Sequence, residues 1–548
     1  LTSYRNNLVG YSDMIYGNPL NHFLNGGFSS LNKNRDFGVG ATFYWIIEPI
    51  KNLRYRGQFN TGYSASNNRN IGLPYSSSST SSSNAYTMSM GSYENSSFTL
   101  ENTISYILPT FGKHTIDVLV GQSIERSNWS TGMNMNFEAG EETLNTLILN
   151  GWDYNIPANY EKVQTHGGYD NPMQGSIASF FGRANWNYDE KYMLTAIIRA
   201  DGSSNFARGN RWGYFPSVSA GWNISNEKFM ESTASWLSFL KLRASWGQNG
   251  NCNIDNFYYL SNIRFSPTNY ADYGYKFSSD MQNTVNRNIY QTGAYAGNVP
   301  NPDVTWETSE QINVGIDARF FSGRLGLNFD WYRKTTKDWL VQAPMNEVLG
   351  YEEAAYVNAG DVRNTGIEVA LSWRDQIGSD FTYHANVNMA TNKNEVTRLA
   401  NNNGFINGQD KAIFENSSWV SRVEVGHPIG YFNGMSYSGV WQSQAQIDQA
   451  RSAGKAVLDG AQPGDFIWDD YNGDGMISLS EDRHEIGNPH PDVTLGLSLG
   501  CEWKGFDFGI TGSGAFGMQV MQCYRTALLA NQYQNYTVDV FDRWHGEG

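Results

Sequence analysis

The sequence predicts an all-β protein, a transmembrane antiparallel β-barrel with short periplasmic turns and long extracellular loops. Three observations predict it: segments that alternate apolar and polar residues, connections that alternate short and long, and aromatic residues near the segment ends. Composition agrees. Of 548 residues 56 are Gly, 33 Tyr and 17 Trp, and charged residues are 17%, against the roughly 25% usual in soluble chains.

The alternation comes first. Residues 177–188 place Ala178, Phe180, Ala184, Trp186 and Tyr188 on one face and Ser179, Arg183, Asn185 and Asn187 on the other. Residues 191–201 oppose Tyr192, Leu194, Ala196, Ile198 and Ala200 to Thr195, Arg199 and Asp201. Residues 312–320 and 381–389 alternate in the same way. A period of two means a strand with one apolar and one polar face. Similar segments occur near 40–48, 52–62, 96–108, 114–126, 213–224, 236–247, 324–334, 363–374, 493–503 and 506–516. Together they make about 14 strands of the roughly 9–11 residues that a tilted membrane strand needs.

The connections give this sheet an inside and an outside. Short links fall at Pro49–Lys51, Pro109–Lys113, Asp189-Glu190, Ser225–Ser235, Ser322-Gly323, Arg374–Asp380 and Lys504-Gly505. Between them lie long segments near 63–95, 127–175, 248–306, 335–362 and 393–492, with a shorter one near 202–212. Strict alternation puts every short turn on one side, as in outer-membrane barrels. Trp186, Tyr188, Tyr192, Tyr214, Trp222, Trp246, Trp331, Trp373 and Trp503 sit near strand ends and suit interfacial girdles. A soluble β-sandwich would also alternate, but it has no reason to sort its loops. The Ser-rich stretch Ser76–Ser83 reads as a flexible loop tip.

Several classes are excluded or disfavoured. The formal charge of −15 argues against a nucleic-acid partner, which wants a basic face. No run approaches the ~18 apolar residues of a membrane helix. Cys252, Cys501 and Cys523 follow no metal spacing and read as small hydrophobes. The sequence has no HExxH, GxSxG or P-loop, and the adjacent pairs Glu141-Glu142 and Glu352-Glu353 read as solvated loop charge, so no enzyme is expected.

Three segments carry a family resemblance. The first runs from Ser179-Phe180-Phe181-Gly182-Arg183 through Asp201-Gly202-Ser203-Ser204-Asn205-Phe206 to Phe215-Pro216-Ser217 and Gly221-Trp222. The second is Asn301-Pro302-Asp303-Val304-Thr305-Trp306-Glu307-Thr308. The third runs from Pro463-Gly464-Asp465 to Ile486-Gly487-Asn488-Pro489 and Pro491-Asp492. These resemble the SusC/RagA-like TonB-dependent outer-membrane transporters over at least residues 176–516. The resemblance implies the C-terminal majority of a barrel of about 22 strands, a plugged-transporter size, in the bacterial outer membrane. Residues 1–548 are then a partial barrel, without the family's plug, TonB-contacting segment and final strands. It further implies TonB-driven import of oligosaccharides or oligopeptides with a SusD-like lipoprotein over the mouth. A barrel-anchored glycan receptor or adhesin is the alternative.

One constellation carries site chemistry. In the long extracellular segment 393–492, residues 470–481 match D-x-[DN]-x-[DN]-G-x5-E. Asp470, Asn472, Asp474, Met476 (by its carbonyl), Ser478 and Glu481 would supply oxygens to a structural Ca²⁺, with Gly475 making the turn and Asp482 as a substitute ligand. An acidic β-turn without metal is the other reading. Among polar-face residues, Arg183, Arg199, Arg243, Asp317, Arg319 and Glu368 either contact substrate or pair across strands. Tyr258, Tyr259, Tyr270 and Tyr273 either stack on sugar rings or pack their own loop.

Overall fold

The computed structural model describes residues 33–72, 75–76, 82–83, 86–139, 162–171, 175–265, 294–342, 350–351, 353–400, 404–408, 419–521 and 538–546. Fourteen long strands form one antiparallel meander: β1 (Lys33–Ile50), β2 (Leu53–Gly72), β3 (Tyr86–Ile107), β4 (His114–Ala139), β5 (Gly175–Tyr188), β6 (Tyr192–Ser203), β7 (Trp212–Asn223), β8 (Leu237–Asn251), β9 (Glu307–Phe320), β10 (Leu325–Lys337), β11 (Gly360–Ile377), β12 (Phe381–Thr391), β13 (Val493–Trp503) and β14 (Phe506–Phe516). Each expected strand is present and hydrogen-bonds to its neighbour in sequence. Two further strands join the sheet, Lys162–Asn171 beside β4 and Lys393–Leu399 beside β11. Among the described residues no helix is long and apolar enough to cross a membrane.

The tight turns follow their residues. Asp189 and Glu190, like Lys504 and Gly505, both take positive φ, which matches the right-handed twist of the strands they join. The turn expected over Arg374–Asp380 is shorter, because pairing continues to Ile377↔Phe381. Strand lengths also depart from expectation: β12 has 11 residues, but β4 has 26. β2 and β3 stay in register from Leu53↔Tyr106 to Gly72↔Thr87. Ladder hydrogen bonds do not stop at the bilayer, so the ribbons run on into water on the long-loop side. The segment expected as a loop over 63–95 therefore narrows to the connection after Gly72, where Tyr75–Ser76 pairs with Ser82–Ser83.

The apolar face points outward. Val120, Phe180 and Phe508 are 58%, 55% and 65% exposed, in strands whose neighbours are exposed as well. A continuous apolar band of this kind is stable only against lipid or a partner. At the short-turn end, Trp186, Tyr188, Tyr192 and Trp222 form a row with ring centroids 6.4, 6.2 and 6.3 Å apart, as an interfacial girdle requires. Cys501 lies on this outer face, opposite Tyr383 and Phe508.

β11 changes partner halfway along. Residues up to Thr365 pair with Lys393–Leu399, and residues from Glu368 pair with β12. Gly366 stands at the junction. A Cβ there would lie 2.0 Å from the Thr391 carbonyl oxygen and 2.6 Å from the Tyr332 hydroxyl. The bare backbone lets Thr391 close in, and the Tyr332 hydroxyl donates to that same carbonyl at 3.3 Å. Gly366→Ala should therefore destabilise the folded barrel by about 1–3 kcal/mol. Gly512→Ala, where a Cβ meets nothing within 4 Å, should not. Heat-dependent mobility of the detergent-solubilised protein on a gel checks both.

Candidate functional site

The polar faces line the lumen, and most of their charges answer one another. Arg243 on β8 reaches Asp317 on β9 and Asp330 on β10, each at 2.9 Å. Arg199 pairs with Asp201 at 2.8 Å and donates to the Ser179 hydroxyl at 2.9 Å. Arg183 lies 3.6 Å from Asp117, whose carboxylate also accepts from Asn185. Arg319 donates to the Ala318 carbonyl and to Asn328. Arg183, Arg243 and Asp317 are thus ion-paired across strands, Arg199 pairs along its own strand and reaches across only to a hydroxyl, and Arg319 meets only neutral oxygens. Glu368 is the exception. It stands opposite Asp330 in register, with no hydrogen bond or ion pair among the described residues. It lines a cavity of about 380 Å³ with Asn328, Asp330, Asn388 and Thr494. Asp330 also keeps one buried oxygen unpartnered there.

The first two resemblance segments turn out to be structural. They meet above the rim in a core of Phe206, Ile254 and Val304, against which Cys252, Tyr259 and Trp306 pack. Asn205 donates to the carbonyls of Cys252 and Ile254, and Asn210 to that of Pro302. The Phe206 and Trp306 rings are 5.3 Å apart. Cys252 is thus a packing residue. Tyr258 is buried and its hydroxyl donates to Glu353 at 2.8 Å, so Tyr258 ties its loop to the next one, and Tyr259 packs on the rim core. Tyr270, Tyr273, Cys523, Glu141, Glu142 and Glu352 lie outside the described residues.

Between β12 and β13 stands a folded module. It holds a four-stranded sheet (Phe405–Asn407, Ser421–Glu424, Tyr431–Gly434, His484–Gly487), a hairpin (Tyr437–Val440 with Phe466–Trp468) and the helix α1 (Gln444–Ser452). The Ser443 hydroxyl caps α1, accepting from the Gln446 amide. Trp441, Ile447, Ala450 and Ala461 form its core. In the sheet, Tyr431 is buried and donates to Glu424 at 2.5 Å; burial and this carboxylate push its pKa up to about 12.

The predicted calcium loop lies in this module, and its residues do form one turn. Asp470 accepts the amides of Gly473 and Gly475 at 2.8 and 2.9 Å. Asn472 accepts from the Asp474 amide, and Asp474 from that of Met476. Gly475 takes φ +85°, the conformation the turn demands. Ser478 accepts from the Glu481 amide at 3.2 Å. Among the described residues no group of three or more His, Cys, Asp or Glu side chains converges on a metal position. Asp482 lies beneath the turn. It is fully buried and accepts the amides of Tyr471, Asn472 and Ser478 at 3.0, 3.3 and 2.7 Å. The Ser478 amide above all, with those of Asn472 and Tyr471, holds its carboxyl below the usual range.

Comparison with known proteins decides the family. The model of the TonB dependent receptor-like β-barrel matches residues 9–473. This chain belongs to that family. The TonB-dependent receptor P26 of Formosa agariphila is 30% identical over 453 residues, covering 82% of this chain and 42% of the relative. SusC of Bacteroides thetaiotaomicron is 28% identical over 416 residues, covering 74% of this chain and 36% of its own length. The RagAB peptide importer in its open-open state superposes with a TM-score of 0.70 at 23% identity, over 90% of this chain and 48% of that one. The SusC/RagA-like resemblance is thereby confirmed, and with it an outer-membrane receptor barrel of a family of transporters and receptors, not of enzymes. The chain spans less than half the length of these relatives.

Asp482 holds the receptor's acidic loop through a charged acceptor. Because its folded pKa is lowered, its contribution is full above the ordinary carboxylate value of about 3.9. That contribution is lost as pH falls through the depressed value. Asp482→Ala should cost the loop about 2–4 kcal/mol. Hydrogen exchange at Tyr471–Ser478 should rise sharply at neutral pH in the variant, and in the wild type only in acid below the ordinary carboxylate value.

Proposed function

We propose that this barrel is the wall of an outer-membrane importer of oligosaccharides or oligopeptides, energised through TonB and fed by a SusD-like surface lipoprotein. The observation that carries the reading is the sidedness of the sheet. An apolar outer face meets lipid, while the inner face is polar, with its charges largely paired and so spent on the wall itself. A wall of that kind suits passage of uncharged or mixed polar cargo, with Glu368 as an acceptor on the route. The fold shared with a peptide importer supports the peptide class, and the oligosaccharide class rests on the motif resemblance alone.

Deleting the gene should abolish growth on one class of glycan or peptide and leave monosaccharide growth intact. Unimpaired growth across the whole panel would refute import. Glu368→Ala should slow uptake of the cargo so identified while leaving the amount of folded barrel in the membrane unchanged.

We also propose that residues 470–481 hold one structural Ca²⁺. The donors would be the oxygens of Asp470, Asn472, Asp474, Ser478 and Glu481 with the Met476 carbonyl, a hard set that suits this cation. The formed turn at Gly475 supports the reading, and binding would draw the Asp470 and Asp474 carboxylates off their amides. Asp474→Ala should remove one equivalent of protein-bound calcium measured by elemental analysis. Equal calcium in variant and wild type would count against it.

A further inference from the structure

Arg483 carries a charge with no ion-pair partner among the described residues. It lies at the entry to the strand His484–Gly487, half-buried, and makes no hydrogen bond among those residues. Its guanidinium is 4.3 Å from the centre of the Trp419 ring. Arg422 shares that ring at 4.7 Å and also covers Phe405 at 4.3 Å. The four side chains make a linked series of aromatic, cation, aromatic and cation.

The two arginines are placed differently within it. Arg422 is held: its Nε donates to Asn407 at 3.1 Å, and a terminal nitrogen lies 3.6 Å from Glu424. Arg483 is backed by Trp419 and stands beside a second positive charge. The carboxylates nearby are engaged elsewhere. Glu424 faces Arg422 and accepts from Tyr431, and Glu485 lies 2.7 Å from His427. A half-buried guanidinium costs free energy unless something pairs with it. Stacking on Trp419 offsets part of that cost but leaves the five-donor fork open.

We propose that Arg483, backed by Trp419 and oriented beside Arg422, binds the carboxylate of a soluble ligand at the extracellular mouth. The planar fork matches a carboxylate bidentately. One positive charge without an ion-pair partner suits a monoanion such as a carboxylate. The carboxylate is either that of a uronic sugar or the C-terminus of a peptide. The extracellular placement rests on the import reading, but binding can be measured without transport, so the two fail separately.

The test uses the complete transporter in detergent and saturation-transfer NMR. The probes are galacturonate against galactose, and glycylglycine against its C-terminal amide. Wild type should bind one carboxylate probe at least tenfold more tightly than its uncharged counterpart, and the arm that responds names the source. Arg483→Gln should erase that preference at an unchanged unfolding temperature. Arg483→Lys, which keeps the charge and loses the fork, should retain only part of it, and it serves if the Gln variant does not fold. No preference in wild type, or the same preference in both variants, would overturn the site.

Discussion

Backbone hydrogen bonding governs this molecule. Lipid offers no partner to an N–H or C=O, so each strand within the membrane must be paired on both edges. The fourteen-strand meander meets that demand internally from β2 to β13. Within the described sheet β1 pairs only with β2, and β14 only with β13, so in a closed barrel these two edges must also find partners.

The two faces follow from that pairing. Once the backbone is fixed, alternate side chains meet lipid or water with no third choice. Apolar residues fill the outer set, and the polar set must be stable in a confined wet lumen. Pairing Arg243 with Asp317 and Asp330, or Arg199 with Asp201, satisfies those charges within the wall. Among the six polar-face residues singled out, Glu368 alone has no hydrogen bond or ion pair among the described residues. The first two resemblance segments are structural. Phe206, Asn205, Val304 and Trp306 anchor the rim core on which the loops stand.

How much was legible in the sequence varies with the physics. Strand positions were readable because a two-faced environment writes a period of two into every segment that crosses the membrane. Strand ends were not: ladder hydrogen bonds continue past the bilayer, so β4 runs on to Ala139, well into the segment expected as a loop from 127. In the acidic loop the spacing identified the turn formers Asp470, Asn472, Asp474 and Gly475. It could not rank Asp482, whose importance comes from burial beneath three amides. Arg483 and Trp419 lie far apart in sequence and meet only through the module's sheet. No local pattern marks such a contact.

The central claim is that each strand has a lipid face and a water face. Spin labels placed singly at Gln311, Ile312, Asn313, Val314 and Ile316 on β9, in the protein reconstituted in liposomes, test it most directly. Ile312, Val314 and Ile316 should be relaxed by oxygen, which concentrates in the bilayer, and Gln311 and Asn313 by a water-soluble nickel chelate. Period-two alternation between the two relaxants supports the account. Labels at Ile312, Val314 and Ile316 shielded from both, as in a packed soluble core, would contradict it.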